Sequence, residues 1–145
     1  MRLVVDTNIL YSYFWKYSIT KKILRSQDME LLSPEFALQE INKYRQDIIE
    51  KNNLSEKEFE QIRFDLAIAI KFIPIEGYSQ KLQKALEISP DPNDLEFFAL
   101  AIKLKLPIWS NDLKLKKQSK IKIITTTELI NMPEIKKIAS SGGVP

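Results

Sequence analysis

The chain has 145 residues, 44% of them hydrophobic and 28% charged, with a net charge of +3, which are the size and composition of one ordinary globular domain. It contains no His and no Cys, and this excludes Ser-His-Asp and Cys-His nucleophilic catalysis, zinc sites with nitrogen or sulfur ligands, iron–sulfur clusters and disulfides. Its three glycines cannot build a Walker or Rossmann phosphate loop. If the chain is an enzyme, oxygen ligands around a divalent cation are therefore the leading option.

The first part of the chain alternates short apolar runs with helical signals. Residues 2–5 predict a buried strand, and a helix follows it. A second strand is predicted at 31–32. Ser33 and Pro34 then predict an N-cap and a proline at the first position of a helix over 35–51.

The same alternation continues to the end of the chain. Ser55 and Glu58 form a capping box that opens a helix to about residue 70. The run 72–75 predicts a short or peripheral strand, because it contains a proline. This order of elements predicts an α/β fold with a mainly parallel sheet, in one domain over 1–139 with a loose tail at 140–145. The remaining predicted elements are helices at 79–88, from Asp91 to about Lys105, after Asp112 and after a capping box at Thr125–Glu128, and strands at 107–110 and 121–124.

Four acidic residues fall near the carboxyl ends of the predicted strands, where open α/β sheets carry their functional sites. Asp6 ends the first strand, and Asp112 follows the strand at 107–110 by two residues. Asp94 lies in the first turn of its helix, and Glu40 lies about two turns into the helix after the second strand. Four carboxylates at one edge repel each other strongly, and such clusters usually bind Mg²⁺ or Mn²⁺.

Each acid also has a purely structural interpretation. Asp6 and Asp112 could cap the helices that follow them, and Asp91 and Asp94 could be an N-cap and a first-turn acid favoured by the helix dipole. Glu40 could extend to solvent, although an unpaired carboxylate inside an apolar arc is costly. Glu40 falls between Phe36 and the apolar stripe of its helix, which is formed by Ala37, Ile41, Tyr44 and Ile48.

The four acids stand in segments that together resemble a known family, the PIN-domain nucleases, and particularly the VapC-type toxins of toxin–antitoxin pairs. The run VVDTNIL at 4–10 resembles the opening strand motif of that family, and Gln39-Glu40-Ile41 resembles its helical Glu motif. The resemblance covers residues 1 to about 131. Its other two motifs are Asp94 with Leu95 and Ala101, similar to the third family acid at a helix start, and Ser110-Asn111-Asp112, similar to the family's Ser/Thr-x-Asp.

The resemblance implies a three-layer fold, with a parallel sheet of four or five strands between helices, and a metal-dependent endoribonuclease activity. One or two Mg²⁺ or Mn²⁺ ions would activate a water for in-line attack on a phosphodiester. It also implies a possible antitoxin partner. The ligands implied by the resemblance are Asp6, Glu40, Asp94 and Asp112, with Thr7, Asn8 and Ser110 holding the ligands or the water and Asp91 as an outer ligand or, alternatively, an N-cap.

Two other enzyme classes place an acid after the first strand, and both fit less well. A haloacid dehalogenase-type phosphatase needs a second Asp two residues after Asp6, where this chain has Asn8. A response-regulator receiver needs paired acids at the end of the first strand and a phosphoacceptor on a middle strand, and neither is present in 2–6 or 72–75. A non-catalytic RNA-binding or partner-binding module on the same fold remains an alternative.

Lysines are concentrated between residues 103 and 122, where seven Lys stand against one acid, Asp112. Such a stretch suits a polyanion, and it is also compatible with a solvated surface. Lys114, Lys116 and Lys117 lie two to five residues after Asp112 and are therefore the predicted RNA-binding residues.

Aromatic residues recur in the first predicted helix and suggest a partner surface. One stripe, formed by Leu10, Tyr13, Phe14 and Tyr17, is expected to face the sheet. Tyr11 and Trp15 would lie on a second face, either as additional core or as the contact of a homodimer or an antitoxin.

The sequence shows no signal peptide and no apolar run long enough to span a membrane, so no membrane association is expected. The absence of Cys is consistent with a reducing compartment, and the expected location is cytoplasmic.

Overall fold

The computed structural model describes residues 1–140, and apart from Ser140 the predicted tail lies outside the described residues. Short 3-10 segments link several of the elements. The strands are β1 (Arg2–Val5), β2 (Glu30–Pro34), β3 (Ile70–Ile73), β4 (Ile108–Trp109) and β5 (Ile123–Ile124), and the helices are α1 (Thr7–Tyr11), α2 (Ile19–Leu24), α3 (Glu35–Lys43), α4 (Arg45–Lys51), α5 (Glu56–Ala69), α6 (Leu82–Ile88), α7 (Leu95–Leu104), α8 (Thr126–Ile130) and α9 (Pro133–Ser140).

The five strands form one sheet in the order β3-β2-β1-β4-β5, and every pairing is parallel. Val4 pairs with Leu32 on one side and with Ile108 on the other, which places β1 at the centre. Helices flank this sheet, so the predicted three-layer α/β/α fold is confirmed. Because all strands run in the same direction, the segments that follow them meet at one edge of the sheet.

The central strand is buried on both faces, as expected for a parallel sheet covered by helices. Leu3, Val4 and Val5 have no exposed surface. Phe14, from the 3-10 turn after α1, stacks on Phe59 of α5 with the ring centroids 5.2 Å apart. These contacts hold the end of β1, and the acid that follows it, against a packed interior.

Two predictions from the sequence are wrong: one concerns the N-cap of a helix, and the other concerns the face of the first helix that packs on the sheet. Ser33 is not an N-cap: it belongs to β2, and its hydroxyl donates a hydrogen bond to the carbonyl oxygen of Val5 at 2.8 Å. Tyr17 does not face the sheet, because α1 ends at Tyr11 and the chain turns before α2, leaving Tyr17 77% exposed. Leu10, Tyr13 and Phe14 are buried as predicted.

The single helix predicted over 35–51 is two helices. Tyr44 separates α3 from α4 with a φ of −97° and a ψ of 19°, outside the helical region. Tyr44, at this break, is 42% exposed although its spacing put it on an apolar stripe.

The other boundary signals agree with the structure. Both capping boxes form, at Ser55 with Glu58 and at Thr125 with Glu128. The predicted peripheral strand lies slightly earlier in the chain, and it is the edge strand β3, directly before Pro74. No helix within residues 1–140 is long and apolar enough to cross a membrane.

Candidate active site

Asp6 lies at the carboxyl end of β1 and is only 5% exposed. Its Oδ1 accepts the backbone N–H of Ile9 at 3.0 Å, so Asp6 does cap α1, as its structural interpretation predicted. Burial raises the pKa of this carboxyl and the charge of Asp112 adds to the rise, while a hydrogen bond with the Ser110 side chain opposes it. The capping bond uses Oδ1. Because Asp6 is buried, its carboxylate is largely shielded from solvent.

Ser110 connects the ends of β1 and β4. It is fully buried, its side chain hydrogen-bonds Asp6, and its Oγ accepts the backbone N–H of Asp112 at 3.1 Å. Asp112 in turn accepts the N–H of Lys114 at 3.0 Å, capping the 3-10 turn Leu113–Lys117. One hydroxyl therefore fixes the relative positions of two acidic residues.

Glu40 reaches the same edge from α3. The hydroxyl of Thr7, the residue after Asp6, donates a hydrogen bond to Glu40 Oε1 at 3.1 Å. Glu40 is only partly exposed, although it sits about two turns into its helix. Its charge also contributes, after burial, to raising the pKa of Tyr11 to about 12. The Glu40 carboxylate is thus oriented by the first residue of α1.

Asp91 and Asp94 stand at the start of α7 and have different surroundings. Asp91 is an N-cap whose Oδ1 accepts the N–H of Asn93 at 2.9 Å. Asp94 makes no side-chain capping bond. Burial raises its pKa to about 6, and the negative charges of four other acids add to this: Asp91, Asp6, Asp112 and Glu40. Asp94 is therefore the carboxylate on which the electrostatic fields of the whole cluster converge.

The donor set suits a hard cation, although the side chains do not form a closed cage. Among residues 1–140, no three acidic side chains lie close enough together to hold one ion. Mg²⁺ commonly uses one or two carboxylates and keeps several waters, so such a cage is not required. No Lys or Arg of the described chain forms an ion pair with Asp6, Glu40, Asp94 or Asp112. Negative charge that is buried without a protein cation fits a divalent metal.

The remaining predicted site residues occupy different places. Asn8 donates its backbone N–H to Asp6, but the residue is exposed and lines a groove beside α1. Lys114, Lys116 and Lys117 lie together in the turn after Asp112, and all three are exposed. Lys116 Nζ is bound by Glu128 at 2.6 Å, whereas the other two make no ion pair within residues 1–140.

Sequence reasoning missed Tyr44 as a residue near the site. Its only signal was its place four residues after Glu40, and the helical pattern assigned it to the core. The break after α3 brings it to the surface beside Tyr11 and Trp15. Neither residue spacing nor propensity indicated that break.

The sheet order reverses between β1 and β4, so the acids that follow these strands occupy the topological switch point, where open α/β proteins bind their ligands. The molecule is therefore an open parallel α/β protein with a carboxylate site at its switch point. A family model described as "PIN domain" matches residues 4–132, and the chain belongs to this family.

The fold is similar to that of a solved structure, the crystal structure of VapBC2 from Rickettsia felis bound to a DNA fragment from their promoter. The match has a TM-score of 0.56 and 21% sequence identity, and it covers 86% of this chain and 98% of the other. No curated protein sequence matches the chain significantly.

Proposed function

We propose that the protein is a metal-dependent endoribonuclease in which Asp6, Glu40, Asp94 and Asp112 hold Mg²⁺ or Mn²⁺. The observation that carries this proposal is the convergence of these acids at the carboxyl edge of the parallel sheet, where burial and the charges of the surrounding acids raise the pKa of Asp94 to about 6. A carboxylate that is partly buried among like charges, with no paired Lys or Arg, destabilises the metal-free fold. A bound cation relieves this repulsion. Membership of the PIN domain family supports the same site.

Bound at this site, the metal would activate a water for in-line attack on a phosphodiester and stabilise the leaving oxygen. The chain's own residues prepare the geometry. Ser110 orients Asp6 and Asp112 through its hydroxyl, and Thr7 orients Glu40 through its own. Buried hydroxyls of this kind restrict carboxylate rotamers and so lower the cost of assembling the ligands. Asp91 contributes charge while it caps the 3-10 turn Pro92–Asp94 that leads into α7.

We further propose that the protein is the toxin of a toxin–antitoxin pair and that it acts on cellular RNA in the cytoplasm. The support is the fold similarity to the VapBC2 structure, which contains the promoter DNA of that pair. The partner would be an antitoxin protein that covers the acidic edge. Co-expression with a small DNA-binding protein encoded beside the gene, followed by co-purification, tests the partnership; separate elution of two folded proteins contradicts it.

A homodimer remains a proposal of its own. Several large apolar side chains are exposed on the surface, including Phe64 at 66% and Ile68 at 72%, one turn apart on α5. Light scattering over a range of protein concentrations measures the mass directly. A monomer at every concentration would contradict the dimer and leave the nuclease proposal intact.

The nuclease proposal is tested by RNA cleavage with pure protein in Mg²⁺ or Mn²⁺, after EDTA, and in the Asp6→Asn variant. We expect cleavage that chelation abolishes and metal restores. Asp6→Asn removes one of several like charges with little change in shape, so cleavage should be lost while the metal-free melting temperature stays the same or rises. Full activity after exhaustive EDTA treatment would falsify the metal mechanism. Metal-independent RNA binding without cleavage would favour the non-catalytic module.

A further inference from the structure

A groove of about 620 Å³ runs beside the acid cluster, between α1 and α4. Its volume is within the range of small-ligand pockets, roughly 300–1,000 Å³. The residues that line it include Asn8, Tyr11, Trp15, Tyr44, Asp47 and Lys51.

The groove offers aromatic surface to solvent. Trp15 is 48% exposed and Tyr44 is 42% exposed, and Tyr11 is half-buried between them and the core. The other tryptophan, Trp109, is fully buried and donates its Nε1–H to Thr126. Lys43 Nζ lies 5.5 Å from the centre of the Tyr44 ring, which supplies positive charge at the rim.

Residues of this groove adjoin those of the proposed active site. Asn8 follows Asp6 by two residues on the same turn, and Tyr11 is close enough to Glu40 to feel its charge. Tyr44 follows Glu40 by four residues, a rise of about 6 Å along a helix. An RNA strand whose scissile phosphate lay over the four acids would therefore place the adjacent nucleotide at the aromatic groove.

We propose that this groove binds the nucleobase adjacent to the scissile phosphate of a single-stranded RNA, with Trp15 and Tyr44 as stacking surfaces. The inference rests on the proposed nuclease function and names the part of its substrate that the chain recognises. Bases flanking a cleavage site can be splayed out only in unpaired RNA, and aromatic side chains are the usual platforms for them.

The polar residues of the groove complete a nucleobase site. The Asn8 amide and the Asp47 carboxylate offer hydrogen-bonding groups for a base edge, and the Lys51 ammonium offers a charge for the flanking phosphate. An RNA phosphate chain continuing past the acids would reach the lysines after β4, which lie on the opposite side of β1 from α3 and α4.

The test measures binding without cleavage. A short single-stranded RNA is titrated into the metal-free protein in EDTA while tryptophan fluorescence is recorded, beside an abasic oligonucleotide of equal length and charge. We expect the RNA to quench the exposed Trp15, with buried Trp109 as the unchanged reference, and the abasic strand to bind more weakly without quenching. Trp15→Ala should weaken RNA binding about 5- to 100-fold, and Trp15→Phe should restore most of it.

Tyr17→Ala is the matched control, because Tyr17 is a 77% exposed aromatic two residues away that does not line the groove. Its RNA affinity should equal that of the wild type. A wild-type RNA affinity in Trp15→Ala would overturn the proposal, and so would equal affinities of the wild-type protein for the RNA and the abasic strand. So would a change of oligomeric mass or loss of a co-purified antitoxin in Trp15→Ala with RNA binding intact, because the groove would then be a protein interface.

The experiments distinguish failure of the nucleobase site from failure of the nuclease function. A protein that shows quenching and base-dependent binding but no metal-dependent cleavage keeps the nucleobase site and loses the nuclease function. A protein that cleaves RNA with kcat/KM unchanged in Trp15→Ala keeps the nuclease function and loses the nucleobase site.

Discussion

The hydroxyl of Thr7 donates a hydrogen bond to Glu40 Oε1 over 3.1 Å, and so joins the first turn after β1 to the helix after β2. Thr7 is 8% exposed, so water competes little for this bond. The proposed ligand that is most remote from the strand ends is thus oriented by the residue next to Asp6.

Thr7→Val keeps the shape of this side chain and removes the donor. We expect cleavage to fall about 10- to 100-fold, since losing a group that orients a metal ligand typically has an effect of this size. Thr7→Ser keeps a hydroxyl and should stay within a few-fold of the wild type. The measurement is the single-turnover cleavage rate across a Mn²⁺ titration. Equal rates for the Val and Ser variants would show that Glu40 needs no orientation by Thr7.

Asp91 and Asp94 should separate capping from catalysis. Asp91→Ala removes the cap on Asn93, so it should lower unfolding free energy by about 0.5–2 kcal/mol while retaining much of the cleavage activity. Asp94→Ala breaks no capping bond and relieves repulsion, so its metal-free stability should be unchanged or higher while turnover falls by orders of magnitude. Denaturation midpoints with and without Mg²⁺, beside cleavage rates, measure both effects. The reverse pattern would assign the third ligand to Asp91.

The raised pKa of Asp94 predicts a pH-dependent stability in the absence of metal. Its folded value of about 6 exceeds the ordinary 3.8, so folding favours the protonated carboxyl. This stabilisation is complete below about pH 4 and is lost as the pH rises through 6. In EDTA, Asp94→Asn should therefore melt higher than the wild type at pH 7.5, and the difference should shrink as the pH falls through 6 to 4. A constant difference across this range would contradict the shift.

Protons and the metal should compete for the same cluster. Burial raises the pKa of Asp6 as well as that of Asp94. The apparent metal affinity should consequently decrease below about pH 6, measured as the Mn²⁺ concentration giving half-maximal cleavage.

The lysines after Asp112 should contribute unequally to RNA binding. Lys114 and Lys117 are exposed and make no ion pair among the described residues, whereas Lys116 is bound to Glu128. Changing Lys114 and Lys117 together to Gln should reduce the slope of log affinity against log salt by about 1.4 for single-stranded RNA. Lys116→Gln should change it less. Equal slopes in both variants and the wild type would place the RNA path elsewhere.

Two pairs of residues differ in how far the sequence could predict their part in the site. Asp6 and Asp112 were predictable because each follows a strand, and parallel strands bring their carboxyl ends to one edge whatever the side-chain details. Ser110 and Thr7 were predictable as neighbours of those acids, but the partner of each hydroxyl was not. Which atom a hydroxyl contacts depends on the packing of segments 33 residues apart for Thr7 and more distant still for Ser110 and Asp6.

The sequence by itself determined the α/β alternation, the capping boxes at Ser55 and Thr125, and the order of the four acids, because these depend on local propensity and on the period of apolar residues. Only the tertiary structure decided that α3 and α4 are separate helices, that Ser33 bonds to Val5 instead of capping a helix, and that Tyr44 joins Trp15 at a groove. Each of these depends on packing between distant segments: the backbone break at Tyr44 and the register between β1 and β2 place side chains relative to neighbours that no local pattern encodes.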